Sequence, residues 1–328
     1  MDDAIVNDAE PLRIVVLDDY QGVAPASADW GLIPRPVELE SVTEHISDRT
    51  QLVERLRDAS VVVAMRERTA LSQELLEALP SLELIVTTGP SNAVIDVAAA
   101  EARGIEVRGT GGQLTPTSEL TWGLILSLLR FIPAEDRRMR EGGWQHTLGT
   151  DLAGRVLGIV GLGRLGSLVA RVGKAFEMDV VTWSQNLDPK VALDQGVRPV
   201  TRHELFETAD VVTVHLVLSE RSRGLIGPSD LASMKPTAIF VNTSRGPIVD
   251  EDALVEALTS RSIAGAGLDV YDVEPLPVDH PLRSLPNTVL TPHIGYVTDG
   301  LYQQFYVEIV EDIAAWVRGE KLRNVSSA

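Results

Sequence analysis

Short apolar runs rich in valine and isoleucine alternate along this chain with longer stretches at helical spacing. The runs are RIVVLD, SVVVAM, LELIVTT, RVLGIVGLG, DVVTWS, DVVTVHL, AIFVNTS, AGAGLDVY and NTVLTPH. Between them, QLVERLRDA, LSQELLEAL, VAAAEARG and DEDALVEALTS place their apolar residues three and four apart, as a helix requires. Strands that are apolar throughout must be covered on both faces, which is the condition of a parallel sheet clothed by helices. The pattern predicts an α/β, doubly wound protein.

The βα alternation runs twice, first from about Leu12 to Val107 and again from Val156. A chain of 328 residues is comfortable as two domains. We place one lobe at residues 1–110 plus 296–328 and the other at 111–295. The stretch TPTSELTWGLILSLLRFIP reads as a long connecting helix between the lobes, capped by Ser or Thr and closed by Pro133. A final helix over Leu301–Glu320 is expected to pack back on the first lobe.

Composition narrows the function. Lys and Arg total 29 against 47 Asp and Glu, a net charge of −18. Nucleic-acid partners leave a basic footprint, so none is expected. The absence of cysteine excludes disulfides, thiolate metal sites and a cysteine nucleophile. The N-terminus is acidic where a secretory signal is basic, and the apolar run Leu120–Ile132 is too short to span a bilayer. A cytoplasmic protein without a membrane partner is expected.

Candidate chemistry begins at GLGRLG. Gly161, Gly163 and Gly166 follow an apolar strand and open a helix. The first glycine permits the tight turn, the second lets a pyrophosphate approach the backbone, and the third allows the helix to pack closely on the strand. The helix N-terminus offers unpaired N–H groups to the phosphates. Strand, turn, helix and second strand in this order predict a dinucleotide site. The acid that normally binds the adenosine ribose would stand at the end of the second strand, where this chain has Ser184; Asp179 opens that strand, at the wrong edge. A serine hydroxyl can bond a ribose hydroxyl and does not repel a 2′-phosphate. A site built for that phosphate usually adds an arginine, and none lies between Gln185 and Pro189. NAD is the expected cofactor, and the serine is also compatible with NADP.

Three later segments, VNTSRGPIVDEDAL, AGAGLDVYDVEPLP and LTPHIGYVT, stand at predicted strand ends, where ligands bind in open α/β sheets. With the glycine turn, and with GGWQHTLGTDLAG before it and ADVVTVHLVLSERSRGLIG after it, they resemble the D-isomer-specific 2-hydroxyacid dehydrogenase family over nearly the whole chain. Members include glycerate, hydroxypyruvate and D-lactate dehydrogenases. A glycine turn beginning as late as Gly161 fits the D-type arrangement, in which a substrate lobe comes first. The resemblance implies a Rossmann dinucleotide-binding domain, a flavodoxin-like substrate domain without a regulatory module, and a homodimer formed through the nucleotide lobe, with TSELTWGLILSLLRF in the interface.

The resemblance also implies hydride transfer between NAD(P)H and a small 2-keto or 2-hydroxy acid, with Arg245, Glu274 and His293 as the catalytic trio. Each role makes chemical sense. His293 as imidazolium can give a proton to the carbonyl oxygen and take it back. Glu274 bonds the other ring nitrogen and fixes the ring. Arg245 offers a planar fork to the substrate carboxylate and carbonyl. A formate dehydrogenase would be expected to carry an amide in place of Glu274. By the same resemblance, backbone N–H groups of Arg164 and Leu165 meet the pyrophosphate, Leu216, Thr243, Ser244 and Gly295 line the nicotinamide half, and Asp269 reaches the nicotinamide. In the first lobe, TTGPSNAVID resembles a loop that grips the substrate carboxylate, through Gly89, Pro90 and Ser91. Pro90 departs from the pattern because proline has no N–H. Arg66, in AMRERT, is a further candidate for the substrate. Val217 departs again, at a position where the family often has proline.

The histidines His45, His146, His203 and His280 read as surface or packing residues, and His215 as part of a cofactor-lining strand end. No pair has metal-ligand spacing, so no metal is expected. The alternative to an enzyme is a dinucleotide-sensing protein of the corepressor kind, with little turnover.

Overall fold

The computed structural model describes residues 10–320. Most of the acidic N-terminal segment discussed above lies outside the described residues. The chain divides into two compact units. One holds the described residues up to Gln113 and those from Thr298 onward, and the other is Leu114–Val297.

The first unit is built on five parallel strands: β1 (Leu12–Val16), β2 (Val37–Ser41), β3 (Val61–Ala64), β4 (Leu84–Thr87) and β5 (Glu106–Gly109), in the order β2-β1-β3-β4-β5. Helices α1 (Ala24–Ser27), α2 (Arg49–Leu56), α3 (Gln73–Glu77) and α4 (Val97–Ala102) cover it. Val15, Val62 and Ile85 from adjacent strands pack with Leu52, Leu56, Leu75 and Leu76 from α2 and α3. This buried core explains why β1, β3 and β4 read as unbroken apolar runs.

The second unit carries β6 (Val156–Val160), β7 (Asp179–Trp183), β8 (Arg198–Pro199), β9 (Val211–Val214), β10 (Ile239–Asn242), β11 (Gly265–Leu268) and β12 (Thr288–Leu290). All are parallel, in the order β12-β11-β10-β9-β6-β7-β8. Its helices are α5 (Thr115–Leu129), α6 (Ile132–Arg140), α7 (Arg164–Ala175), α8 (Pro189–Asp194), α9 (Arg202–Thr208), α10 (Pro228–Ser233) and α11 (Glu251–Thr259). Two apolar layers sandwich the sheet. One is centred on Leu205, Phe206, Phe240 and Leu254. The other is centred on Trp122, Ile125, Ile159, Val169 and Val241. Strand order reverses at β6, so the loops after β6 and β9 flank the crevice where such sheets bind ligands. The chain then returns to the first unit as α12 (Asp299–Val317), whose buried Phe305, Tyr306 and Ile309 face inward against α1 and the turn at Trp30–Leu32.

Three strands escape the apolar pattern, namely β2, β5 and β8. Each lies at an edge of its sheet. An edge strand is covered less completely and keeps polar residues, as VELES and EVRG do. The long helix also differs from expectation. It lies wholly within the second unit, packed on β10, β11, β12 and α7. It starts without a side-chain cap, with Pro116 in its first turn. Pro133 opens α6 rather than closing α5, and the break is Phe131 at φ +53°. Trp122, Leu124, Ile125 and Leu129 of α5 are buried in its own unit, which leaves that helix less apolar surface for a second copy than its sequence suggests.

Candidate active site

The glycine turn leaves β6 at Gly161, whose φ is +101°. A Cβ there would lie 2.6 Å from the His215 carbonyl oxygen and 2.7 Å from Leu216. At Gly166 it would lie 2.1 Å from the Gly161 carbonyl oxygen, so the helix and the turn touch backbone to backbone. Gly163 differs. No protein atom comes within 4 Å of where its Cβ would stand, and it is the N-cap of α7 with no side chain capping the helix. The protein needs glycine at 161 and 166 for its own packing, while glycine at 163 keeps open the space before the first-turn N–H groups of Arg164, Leu165 and Gly166. That is the cradle a dinucleotide pyrophosphate fits.

Ser184 follows β7 directly and is half-buried, and its carbonyl accepts the N–H of Leu187 at 3.2 Å. Asp188, the next acid, caps α8 through the Lys190 N–H at 2.9 Å. Asp179 at the far end of the strand pairs with Arg198 at 3.0 Å. Arg202 lies 5.5 Å from the centre of the Trp183 ring and is held by both oxygens of Asp230, at 2.9 and 2.5 Å. Nothing in these contacts turns a carboxylate or an uncommitted arginine toward Ser184.

At the end of β9, His215 is only 9% exposed, and its Nε2 meets the Thr213 hydroxyl at 2.9 Å. Burial holds its pKa down to about 3, so the ring is neutral. Leu216 packs against the core, and Val217 is 86% exposed.

The reactive residues hang on loops beyond β10, β11 and β12. After β10 come Thr243, Ser244 and Arg245. Asn242, which sequence reasoning overlooked, staples this turn: its amide donates to the Arg245 carbonyl at 3.0 Å and accepts the Ser244 N–H at 3.0 Å. The Ser244 hydroxyl donates to the Val214 carbonyl at 2.7 Å, and Arg245 donates to the Ser244 carbonyl at 2.7 Å. Gly246 was also overlooked. A Cβ there would lie 2.0 Å from the Tyr271 carbonyl carbon, so the arginine turn rests on the backbone of the next loop.

In that loop the Tyr271 N–H donates to Glu274 Oε1 at 2.9 Å, while Glu274 Oε2 lies 2.6 Å from Nδ1 of His293. A carboxylate can only accept, so Nδ1 carries the proton in this pair. The histidine ring is 16% exposed and meets Tyr296 edge-on at 5.7 Å. His293 sits at φ +53°, a conformation that costs a non-glycine residue roughly 1–3 kcal/mol unless its surroundings impose it. Asp269 imposes it. This residue is 1% exposed, and it accepts from the Thr291 hydroxyl at 2.6 Å and from the N–H groups of Ile294 and Gly295, each at 2.8 Å. Burial raises its pKa, against the opposing pull of those donors and of His293. Asp269 thus organises the histidine loop.

In the first unit, Gly89 has φ +87°, and its N–H donates to the Thr110 hydroxyl at 2.7 Å. The N–H expected to serve a carboxylate is thus bonded to Thr110 in this structure. Pro90 has none, and Ser91 is left as the donor of that trio. Arg66 lies over this loop and donates to the Thr88 carbonyl at 3.0 Å; a Cβ on Gly89 would stand 1.7 Å from its guanidinium. Arg66 is also 3.6 Å from Glu67. Asn92 ties the loop to the Arg66 carbonyl and the Thr87 hydroxyl at 2.6 and 2.8 Å. Among the described residues no group of three or more His, Asp or Glu is placed to hold a metal ion, and no helix is long and apolar enough to cross a membrane.

The chain resembles known proteins over most of its length. The D-isomer specific 2-hydroxyacid dehydrogenase NAD binding domain matches residues 122–295. The chain is 38% identical to a glyoxylate reductase of Korarchaeum cryptofilum, over 82% of this chain and 83% of that protein. It is 36% identical to a hydroxypyruvate reductase of Thermotoga maritima, over 86% of this chain and 92% of that protein. The crystal structure of a phosphoglycerate oxidoreductase from Vibrio cholerae superposes with a TM-score of 0.90 at 35% identity, covering 94% of this chain and 99% of the other.

Proposed function

This chain belongs to the D-isomer-specific 2-hydroxyacid dehydrogenase family and is an NAD(P)-dependent oxidoreductase acting on a small 2-keto or 2-hydroxy acid, and from that premise we propose that His293, Glu274 and Arg245 carry its reaction on glyoxylate or hydroxypyruvate. The observation that carries the proposal is the 2.6 Å contact between Glu274 Oε2 and His293 Nδ1. It leaves Nε2 as the ring nitrogen available to substrate.

Bound NAD(P)H supplies the hydride to the carbonyl carbon. His293 Nε2–H gives its proton to the carbonyl oxygen, completing the 2-hydroxy acid, and takes it back in the reverse direction. Glu274 holds the ring and balances the imidazolium charge. Arg245 binds the carboxylate and polarises the carbonyl. Arg164, Leu165 and Gly166 hold the pyrophosphate through their N–H groups, and Ser184 meets the adenosine ribose. Leu216, Thr243, Ser244 and Gly295 line the nicotinamide half. In the first unit, Ser91 and Arg66 are the candidates for binding substrate.

The same reading makes the protein a cytoplasmic homodimer. Phe131, Ile132, Met139, Trp144 and Leu148 are 42–93% exposed within one short stretch of the nucleotide unit, which is the kind of apolar surface a second copy covers.

Oxidation of NADH and NADPH, each with glyoxylate, hydroxypyruvate, pyruvate and bulkier keto acids, tests the proposal beside His293→Ala and Arg245→Lys. Turnover should fall by about a thousandfold in the first variant. In the second, the KM for the keto acid should rise more than kcat falls. Tight dinucleotide binding without reduction of any keto acid would overturn the assignment.

A further inference from the structure

Helix α5 presents hydroxyls where its packing calls for methyl groups. Thr121 is fully buried on a face shared with Trp122 and Ile125. A buried hydroxyl is unfavourable unless it is bonded, and threonine in a helix interior is a weaker helix former than alanine or leucine. The hydroxyls here are bonded in a definite order. Thr121 donates to the Thr117 carbonyl at 2.8 Å, so the proton in its 2.8 Å contact with the Thr243 hydroxyl comes from Thr243. One turn earlier on the same face, the Thr117 hydroxyl donates to the Gly295 carbonyl at 3.0 Å.

These bonds join two loops that the sheet does not hold. Strand pairing ends at Asn242 in β10 and at Leu290 in β12. Thr243 stands two residues before Arg245, and Gly295 two residues after His293. Gly295 is clamped from both sides, its N–H by Asp269 and its carbonyl by Thr117. A Cβ at Gly295 would come within 3.2 Å of the Thr117 methyl, so loop and helix lie flush.

We infer that α5 is a brace fixing the Arg245 turn and the His293 loop relative to each other, with Thr121 and Thr117 as its positioning residues. The inference rests on the roles proposed above for Arg245 and His293. Neither threonine touches a reacting atom. Thr121 acts through the Thr243 side chain and Thr117 through the Gly295 carbonyl, and displacement of a reacting group by about 1 Å is enough to slow the chemistry by about a hundredfold.

The test uses Thr121→Val, which keeps the shape, Thr121→Ser, which keeps the hydroxyl, and Thr117→Val, with glyoxylate and NADH. Thr121→Val should lower kcat about tenfold and raise the glyoxylate KM severalfold. Thr121→Ser should recover most of both. Thr117→Val touches the histidine loop alone and should lower kcat with little change in KM. Amide hydrogen exchange, which needs no turnover, should quicken severalfold at residues 243–248 in Thr121→Val and at 291–297 in Thr117→Val, with the sheet unchanged. Equal kinetics for the valine and serine variants at position 121, or unchanged exchange in those segments, overturns the brace. Turnover that survives His293→Ala, with exchange quickened as expected, overturns the assignment of the histidine and leaves the brace standing.

Discussion

Glu274 and His293 are joined by a 2.6 Å contact between Oε2 and Nδ1, and the remaining carboxylate oxygen is tied to the Tyr271 N–H at 2.9 Å. The carboxylate therefore cannot rotate away without losing one of its two bonds. Glu274→Gln keeps the size and one acceptor oxygen but removes the charge that balances the imidazolium. We expect kcat to fall by about a hundredfold while dinucleotide affinity, read by fluorescence titration, stays close to wild type. A variant with unchanged kcat would show that the carboxylate only packs against the ring.

The glycine turn separates packing from binding. A Cβ at Gly163 would meet no protein atom within 4 Å, whereas even Gly166→Ala would place a methyl 2.1 Å from the Gly161 carbonyl oxygen. Gly163→Val should melt within a few degrees of wild type and lose dinucleotide binding. Gly166→Ala should lose roughly 1–3 kcal/mol of stability or more. Comparable melting losses in both variants would contradict this division.

Ser184 carries no charge that would repel a 2′-phosphate. Ser184→Asp adds a carboxylate where the adenosine ribose is proposed to lie, and like charges at close range are costly. NADPH affinity should drop by about tenfold or more while NADH affinity holds. If both affinities fall together, position 184 does not face the ribose.

His215 is buried and neutral, its pKa held at about 3 against 6.5 for the free side chain. Between those values the unfolded chain binds the proton more tightly than the folded one. The contribution of His215 to stability is thus complete above about pH 6.5 and declines as the pH falls toward 3, by roughly 1.4 kcal/mol per unit. Thermal melting from pH 7.5 to 5 should show a steeper loss for wild type than for His215→Gln. Parallel curves would sink the prediction.

Periodicity exposed the buried strands because burial on both faces leaves only apolar residues. It missed β2, β5 and β8 because edges keep polar side chains. The candidate trio was legible for a related reason: Arg245, Glu274 and His293 each follow a strongly apolar strand, where such sheets bind ligands. The donors and acceptors that hold them were not legible. The Gly89 N–H is taken by Thr110, twenty-one residues further on, and nothing in the segment TSELTWG marks Thr117 and Thr121 as partners of loops far along the chain.

By itself the sequence determined the α/β class, the glycine turn and its order of strand, turn and helix. It also determined which side chains have the chemistry to move a proton or grip a carboxylate. These are local properties, set by side-chain type and by periods of two and 3.6 residues. Only the tertiary structure decided which of those groups are already occupied. It turned Asp269 toward the N–H groups of the histidine loop, seated Gly246 on the Tyr271 backbone, and left Gly163 facing open space. Hydrogen bonds and close backbone approaches join residues distant in sequence, and their partners are chosen by the packing of the whole unit.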